Sequence, residues 1–96
     1  MREFNTAFLG AGRMGKTHLH NLVGIPGLHV RVVADTRLAA AQNGAAIVRA
    51  ERVSDDLDAT IHASDVEVVL IGTPTNTHAD LIEKCVRAGK PVSSDS

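Results

Sequence analysis

The sequence predicts an α/β protein built on a doubly wound parallel sheet, and three observations lead there. Short apolar runs alternate with longer segments of helical spacing, the pattern of strands buried on both faces. The connections between these segments are short. The first apolar run ends in Gly10-Ala-Gly-Arg-Met-Gly15, a glycine spacing that lets a strand turn directly into a helix.

The elements follow in order. Residues 6–9 are the heart of a first strand, too short and too apolar to be a helix alone. Over residues 13–23, Met14, Leu19, Leu22 and Val23 recur at roughly helical spacing, which reads Met14 as core packing. Gly24, Pro26 and Gly27 then stop the helix. Residues 30–34 are β-branched and mostly apolar, a second buried strand ending at Asp35. Thr36 is the expected N-cap of an alanine-rich helix over residues 37–49, weakened in its middle by Gly44. A faint third strand lies around Arg52 and Val53, and Ser54 and Asp55 are expected to cap a short helix through about His62. Residues 67–71 contain Val-Val-Leu-Ile, the strongest strand signal in the chain, and Gly72-Thr73-Pro74 leads out of the sheet.

Thr77 and Asp80 make a capping-box-like start for a last helix, with Leu81, Ile82, Cys85 and Val86 as its apolar stripe. Gly89 is its expected C′ residue, and Pro91 lies just beyond. A fifth strand begins at Pro91 and Val92 and fades into Ser93, Ser94, Asp95 and Ser96. Right-handed crossovers then give the order 3-2-1-4 with a stub of strand 5. The crevice of such a sheet lies beyond the carboxyl ends of strands 1 and 4.

Composition narrows the function. The 96 residues amount to one small domain, with ten Lys and Arg scattered among eleven Asp and Glu. No basic face or polybasic run points to nucleic acid or an anionic membrane, and two Phe with no Trp or Tyr leave little for base stacking. The apolar runs are far shorter than a membrane span, and Arg2, Glu3 and Asn5 interrupt any signal-peptide pattern. The single cysteine, Cys85, fits a reducing compartment and a place in the core. The expectation is a soluble cytoplasmic protein.

The chemistry is concentrated at the strand ends. Gly10 permits the turn, Gly12 lets backbone approach a pyrophosphate, and Gly15 lets the helix lie against the strand. The unpaired N–H groups of that helix then form an anion site. Asp35 follows at about the ~20-residue offset of a ribose-binding carboxylate. Its charge favours NAD over NADP, although Arg37 could partly neutralise a 2′-phosphate. Arg13 is either a pyrophosphate neighbour or a solvated first-turn residue. Thr73, Pro74, Thr75, Asn76 and His78 leave strand 4 toward the same crevice. A turn and N-cap explain part of that pattern, but not why His78 stands in the first turn. His18 and His20 point in different directions on their helix, His29 and His62 sit in connections, and neither zinc nor a nucleophilic triad has a ligand-like spacing here.

Taken together, Gly10-Ala-Gly-Arg-Met-Gly-Lys-Thr-His18, Val33-Ala-Asp35, the run from Gly72 to Leu81 and Ala88-Gly-Lys-Pro-Val92 resemble the Gfo/Idh/MocA oxidoreductases, and inositol dehydrogenases among them. The resemblance runs through essentially the whole chain. It implies a Rossmann-like dinucleotide domain, truncated at strand 5, of an NAD(P)-dependent enzyme oxidising a secondary hydroxyl of a cyclitol or sugar. By motif position, Gly10, Gly12, Arg13, Met14 and Gly15 match the pyrophosphate loop and Asp35 the ribose acid. Thr73, Pro74, Thr75, Asn76 and His78 match the nicotinamide side.

The resemblance breaks after Val92, where the family carries a Cys-Glu-Lys-Pro-like motif with a catalytic lysine. Ser94 and Asp95 stand at the cysteine and glutamate positions, and Ser96 at the lysine. No catalytic residue carries over. The expected partners are a dinucleotide and, only with the family's substrate domain, a cyclitol or sugar; a homo-oligomer is left open. The alternative is a non-catalytic nucleotide-binding or interaction module that needs a partner chain.

Overall fold

The computed structural model describes residues 3–73 and 78–94. Along them strand and helix alternate: β1 (Phe4–Leu9), α1 (Arg13–Leu22), β2 (Leu28–Ala34), α2 (Leu38–Val48), β3 (Arg52–Ser54), α3 (Leu57–His62), β4 (Val68–Ile71), α4 (His78–Arg87) and β5 (Val92–Ser94). The strands pair in parallel in the order β3-β2-β1-β4-β5. This is the expected doubly wound order, and the faint third strand is present as a sheet edge.

The two faces of the sheet carry separate cores. On one, Phe8, Val30 and Val33 pack with Leu19 of α1 and with Ala41 and Ala45 of α2. On the other, Ala7, Leu9, Val32, Ala34, Val69 and Ile71 pack with Ile61 of α3 and with Leu81 and Cys85 of α4. Full burial of each larger apolar side chain stabilises the fold by ~1.5–3 kcal/mol. Burial also pushes the Cys85 thiol up from its ordinary range, as suits a core residue.

One irregularity sorts β2 between the faces. Thr6 pairs with Val30, but Ala7 pairs with Val32, so Arg31 is an extra residue in the ladder. Val30 and Val32 therefore face opposite sides although they are two apart. Arg31 Nε reaches Asp65 Oδ2 at 2.7 Å, and Arg52 of β3 grips the same carboxylate at 2.8 and 2.9 Å. Glu51 joins through Arg31 at 3.3 Å and His29 at 2.6 Å. The cluster ties the β3 edge to β2 and to the turn before β4. Arg52 and then Arg31 hold the Asp65 carboxyl well below the usual carboxylate range.

Helix ends are fastened locally. Asp56, rather than Ser54 or Asp55, caps α3, its Oδ1 accepting from Ala59 N at 3.0 Å; Ser54 Oγ instead accepts from Asp56 N. Gly89 ends α4 as expected, with Gly89 N donating to Val86 O and Lys90 N to Cys85 O. Lys90 Nζ then donates to Ala63 O at 2.6 Å and to Val66 O, closing the turn after α3. The capping threonine expected at Thr77 lies outside the described residues.

Three expectations about packing are corrected. Met14 is 67% exposed, because the buried line of α1 runs through Gly15 and Leu19 and leaves residue 14 one step around the helix. Val86 is likewise 64% exposed, at the margin of the Leu81 and Cys85 stripe. Gly44, read as a weak point, is a contact. A Cβ there would stand 2.9 Å from Ala11 Cβ and Leu19 Cδ1 and 3.2 Å from Val33 Cγ1.

Two outcomes follow. Gly44→Ala gains about 1 kcal/mol of helix propensity but overpacks the α1–α2 seam, and the net is a loss of roughly 1 kcal/mol in urea unfolding. Stabilisation instead would show slack between the helices. Asp65→Asn lowers the unfolding free energy by on the order of 1 kcal/mol at neutral pH. Because the folded carboxyl is the stronger acid, that contribution is complete above the unfolded value near ~4 and fades as pH falls below it. Urea midpoints of both chains across that range should converge in acid; a gap that stays constant contradicts the ion cluster.

Candidate functional site

The site is assembled from backbone where β1, β2 and β4 end. Gly10 N donates to Ala34 O at 2.7 Å, and Gly72 N donates to Leu9 O at 2.7 Å, so the sheet ladder runs on into the loops. Gly10 has φ +95°, a turn that brings the chain back over the sheet. A Cβ on Gly10 would meet Thr73 Cγ2 at 2.5 Å, so the loops leaving β1 and β4 touch. A Cβ on Gly15 would run into the Gly10 carbonyl, which is how close α1 lies to the strand end.

Gly12 is the N-cap of α1, in ordinary extended backbone with φ −73°. The first bond of the helix comes from Lys16 N to Gly12 O at 2.8 Å. No side chain caps the helix and its first turn holds no acidic residue, so its N–H groups and positive end are presented to the crevice. Arg13 and Met14 are both exposed in that turn.

Asp35 lies opposite, 8% exposed. Its Oδ2 accepts from Ala11 N at 2.8 Å and its Oδ1 from Arg37 N at 2.8 Å. Thr36 is not the N-cap of α2. Asp35 N still bonds across the sheet to Ser54 O at 3.1 Å, which delays the helix by a residue and puts Arg37 at the cap position. The Arg37 guanidinium turns back over the loop, with Nε 3.7 Å from Asp35 Oδ1 and Nη2 3.4 Å from where a Gly12 Cβ would be.

The predicted residues thus fall into two groups. Gly10, Gly12, Arg13, Met14, Gly15, Asp35, Arg37 and Thr73 come together around the ends of β1, β2 and β4. Pro74, Thr75 and Asn76 lie outside the described residues, as do Asp95 and Ser96, and His78 is placed by its backbone at the start of α4. What sequence reasoning missed is the double engagement of Asp35 and the part played by the Ala11 amide, which has no residue-type signature. A hollow of about 350 Å³ also lies beside α1, lined by Phe8, His18, Asn21, Leu22, Leu70, Ile71 and Ser93. Among the described residues no group of His, Cys, Asp and Glu could hold a metal ion, and no helix is long and apolar enough to cross a membrane.

A dinucleotide fits this arrangement. Gly12 leaves a space that a side chain would fill, the helix end supplies N–H donors without a side-chain cap for a pyrophosphate, and Asp35 supplies an acceptor for hydroxyls. Comparison with known proteins agrees. Residues 4–95 match the model of the Gfo/Idh/MocA proteins, described as an oxidoreductase family with an NAD-binding Rossmann fold. An inositol 2-dehydrogenase of Rhizobium meliloti is 45% identical over 85 residues, which are 88% of this chain and 25% of that protein. The crystal structure of a putative myo-inositol dehydrogenase from Sinorhizobium meliloti superposes with a TM-score of 0.83 at 40% identity, over 95% of this chain and 27% of that one. Scyllo-inositol dehydrogenase from Lactobacillus casei, solved with NAD(H) and scyllo-inositol bound, superposes at 0.86 with 26% identity, over 97% of this chain and 28% of its own. The chain therefore spans about a quarter of the length of these relatives.

Proposed function

The chain belongs to the Gfo/Idh/MocA family of oxidoreductases, whose NAD-binding Rossmann fold it carries, and we propose that it holds the dinucleotide with the pyrophosphate against Gly12 and the adenosine ribose against Asp35. One observation carries this reading. The fold itself demands Gly10 and Gly15, because a Cβ at either collides with neighbouring chain, but it does not demand Gly12. Position 12 has ordinary backbone angles, and among the described residues an added Cβ would meet only the flexible end of Arg37, in normal contact. A residue that the fold leaves free to carry a side chain, set at an uncapped helix end, is explained by something that approaches the backbone there.

In this assignment the N–H groups at the start of α1, with Arg13 and Met14 beside them, hold the pyrophosphate. Thr73, Pro74, Thr75, Asn76 and His78 border the nicotinamide. Asp35 accepts from the ribose hydroxyls, and its charge opposes a 2′-phosphate, which makes NAD the preferred form over NADP. When bound, the nicotinamide supplies the hydride-accepting chemistry, and the protein supplies position and electrostatics.

By kinship with inositol dehydrogenases, the substrate of the whole protein is a cyclitol or sugar, oxidised at a secondary hydroxyl to a ketone. Ser96 occupies the position of the family's catalytic lysine and offers no ammonium, so these 96 residues bind cofactor without turning over substrate. The same serine favours the second reading, a nucleotide-binding module that works with a partner chain.

Titrating the chain while following nicotinamide fluorescence should give saturable binding, tighter for NADH than for NADPH. Gly12→Ala should cost the fold no more than about 1 kcal/mol, through a weaker N-cap. The same change should weaken NADH by about tenfold or more, the equivalent of ~1.4 kcal/mol. Gly15→Ala, in contrast, should lower the melting temperature sharply. Unchanged NADH affinity in folded Gly12→Ala sinks the assignment, and inositol oxidation by the chain alone contradicts the missing catalytic group.

A further inference from the structure

We propose that Asp35 positions the phosphate-binding loop as well as meeting the ribose, so that one carboxylate sets both cofactor choice and the shape of the pyrophosphate site. The inference rests on the cofactor reading above and starts from an oddity of that reading. A carboxylate kept only for ribose hydroxyls would face solvent when no cofactor is bound, yet Asp35 is buried with both oxygens engaged.

The two bonds reach different parts of the site. Oδ2 accepts from the amide of Ala11, the residue between Gly10 and Gly12, at a separation of 24 residues along the chain. Oδ1 accepts from the amide of Arg37, which opens α2. Gly10 has already left the β1 direction through its positive φ, and its own N–H is taken by Ala34 O. Ala11 is fully buried against the α1–α2 core, and its amide is bonded to the Asp35 carboxylate, so truncating that side chain takes away the bond that holds the amide in place and shields it from exchange. The Ala11 amide is thus the last fixed point before Gly12, and Asp35 is what fixes it. Each carboxylate oxygen has a second lone pair, so the ribose hydroxyls can be accepted without releasing the loop.

The consequence is coupling. A substitution at position 35 meant to alter the ribose contact also loosens the loop one residue before the pyrophosphate, and affinity falls for ligands that lack the ribose hydroxyls altogether. The probes are ADP and 2′,3′-dideoxy-ADP, which share the diphosphate and differ only in those hydroxyls. The variants are Asp35→Ala, which removes both acceptors, and Asp35→Asn, which keeps the shape and one of them. Their binding is followed by NMR titration of the chain, with exchange of the Val69 amide in β4 reporting whether the sheet is intact.

If Asp35 pins the loop, the Ala11 amide of the ligand-free wild-type chain is protected from hydrogen exchange like its neighbours in β1. Asp35→Ala then abolishes that protection and weakens both nucleotides by about tenfold, a loss in the range of one hydrogen bond to a charged group. If the variant weakens ADP alone, the carboxylate serves only the ribose and the proposal falls. Should Asp35→Ala fail to fold, Asp35→Asn with an intact Val69 signal takes its place under the same two outcomes. If the wild-type chain binds neither nucleotide, the cofactor reading fails, whereas Ala11 protection that the substitution removes still upholds the pin. An unprotected Ala11 amide in the wild-type chain overturns the pin whatever binds.

Discussion

The structure depends on the way three parallel strands end together. Gly10 N–H is spent on Ala34 O, Gly72 N–H on Leu9 O and Asp35 N–H on Ser54 O, so the ladder continues one residue beyond β1, β2 and β4. Each such bond is worth only about 1 kcal/mol net, but the surroundings are dry on both faces and the alternative is an unsatisfied buried donor. The loops that leave this rim therefore start from fixed positions. α1 begins three residues after Gly10 and lies close against the strand end because Gly15 has no side chain to hold it off. The positive end of that helix therefore lies at the rim, where the β4 loop comes within contact of Gly10.

Constraints that act on the backbone are written into residue type, and these were legible in the sequence. A turn at positive φ and a helix pressed on a carbonyl both ask for glycine, so the loop at Gly10 and Gly15 could be read without any tertiary information. The same holds for Gly89, whose two backbone bonds close α4. The continuous apolar runs gave the sheet and its order, since a parallel strand covered on both faces has few polar positions to spare.

What the sequence did not disclose depends on distant partners. The extra residue in β2 is a lone charge in a mostly apolar run, and nothing nearby in the sequence marks it as a bulge; its partner Asp65 is 34 residues away. Gly44 has the propensity of a weak helix position, and only the approach of Ala11, Leu19 and Val33 shows it to be a seam. Thr36 has the right chemistry for an N-cap but is overruled by the β2–β3 ladder, which holds Asp35 in the sheet and moves the helix start onward. Met14 shows the limit of helical spacing, since a phase error of a single residue is the difference between core and surface.

The charges around the crevice then divide into a fixed set and a movable one. The Asp35 carboxylate is fixed, held by two backbone amides and almost without solvent. The Arg37 guanidinium is movable: its side chain is 72% exposed and meets Asp35 Oδ1 only at 3.7 Å, whereas its backbone amide is tied to the same oxygen at 2.8 Å. A ribose with free hydroxyls needs just the fixed acceptor. A 2′-phosphate has to sit against that same carboxylate and recruit Arg37 from a surface position, giving up side-chain freedom and gaining a screened attraction. With the ribose placed against Asp35 as proposed, the repulsion is built into the rim and the attraction is not, which favours NAD even though a cation stands two residues from the acid. Under that proposal, preference for one dinucleotide follows from which of two opposite charges is anchored, rather than from which are present.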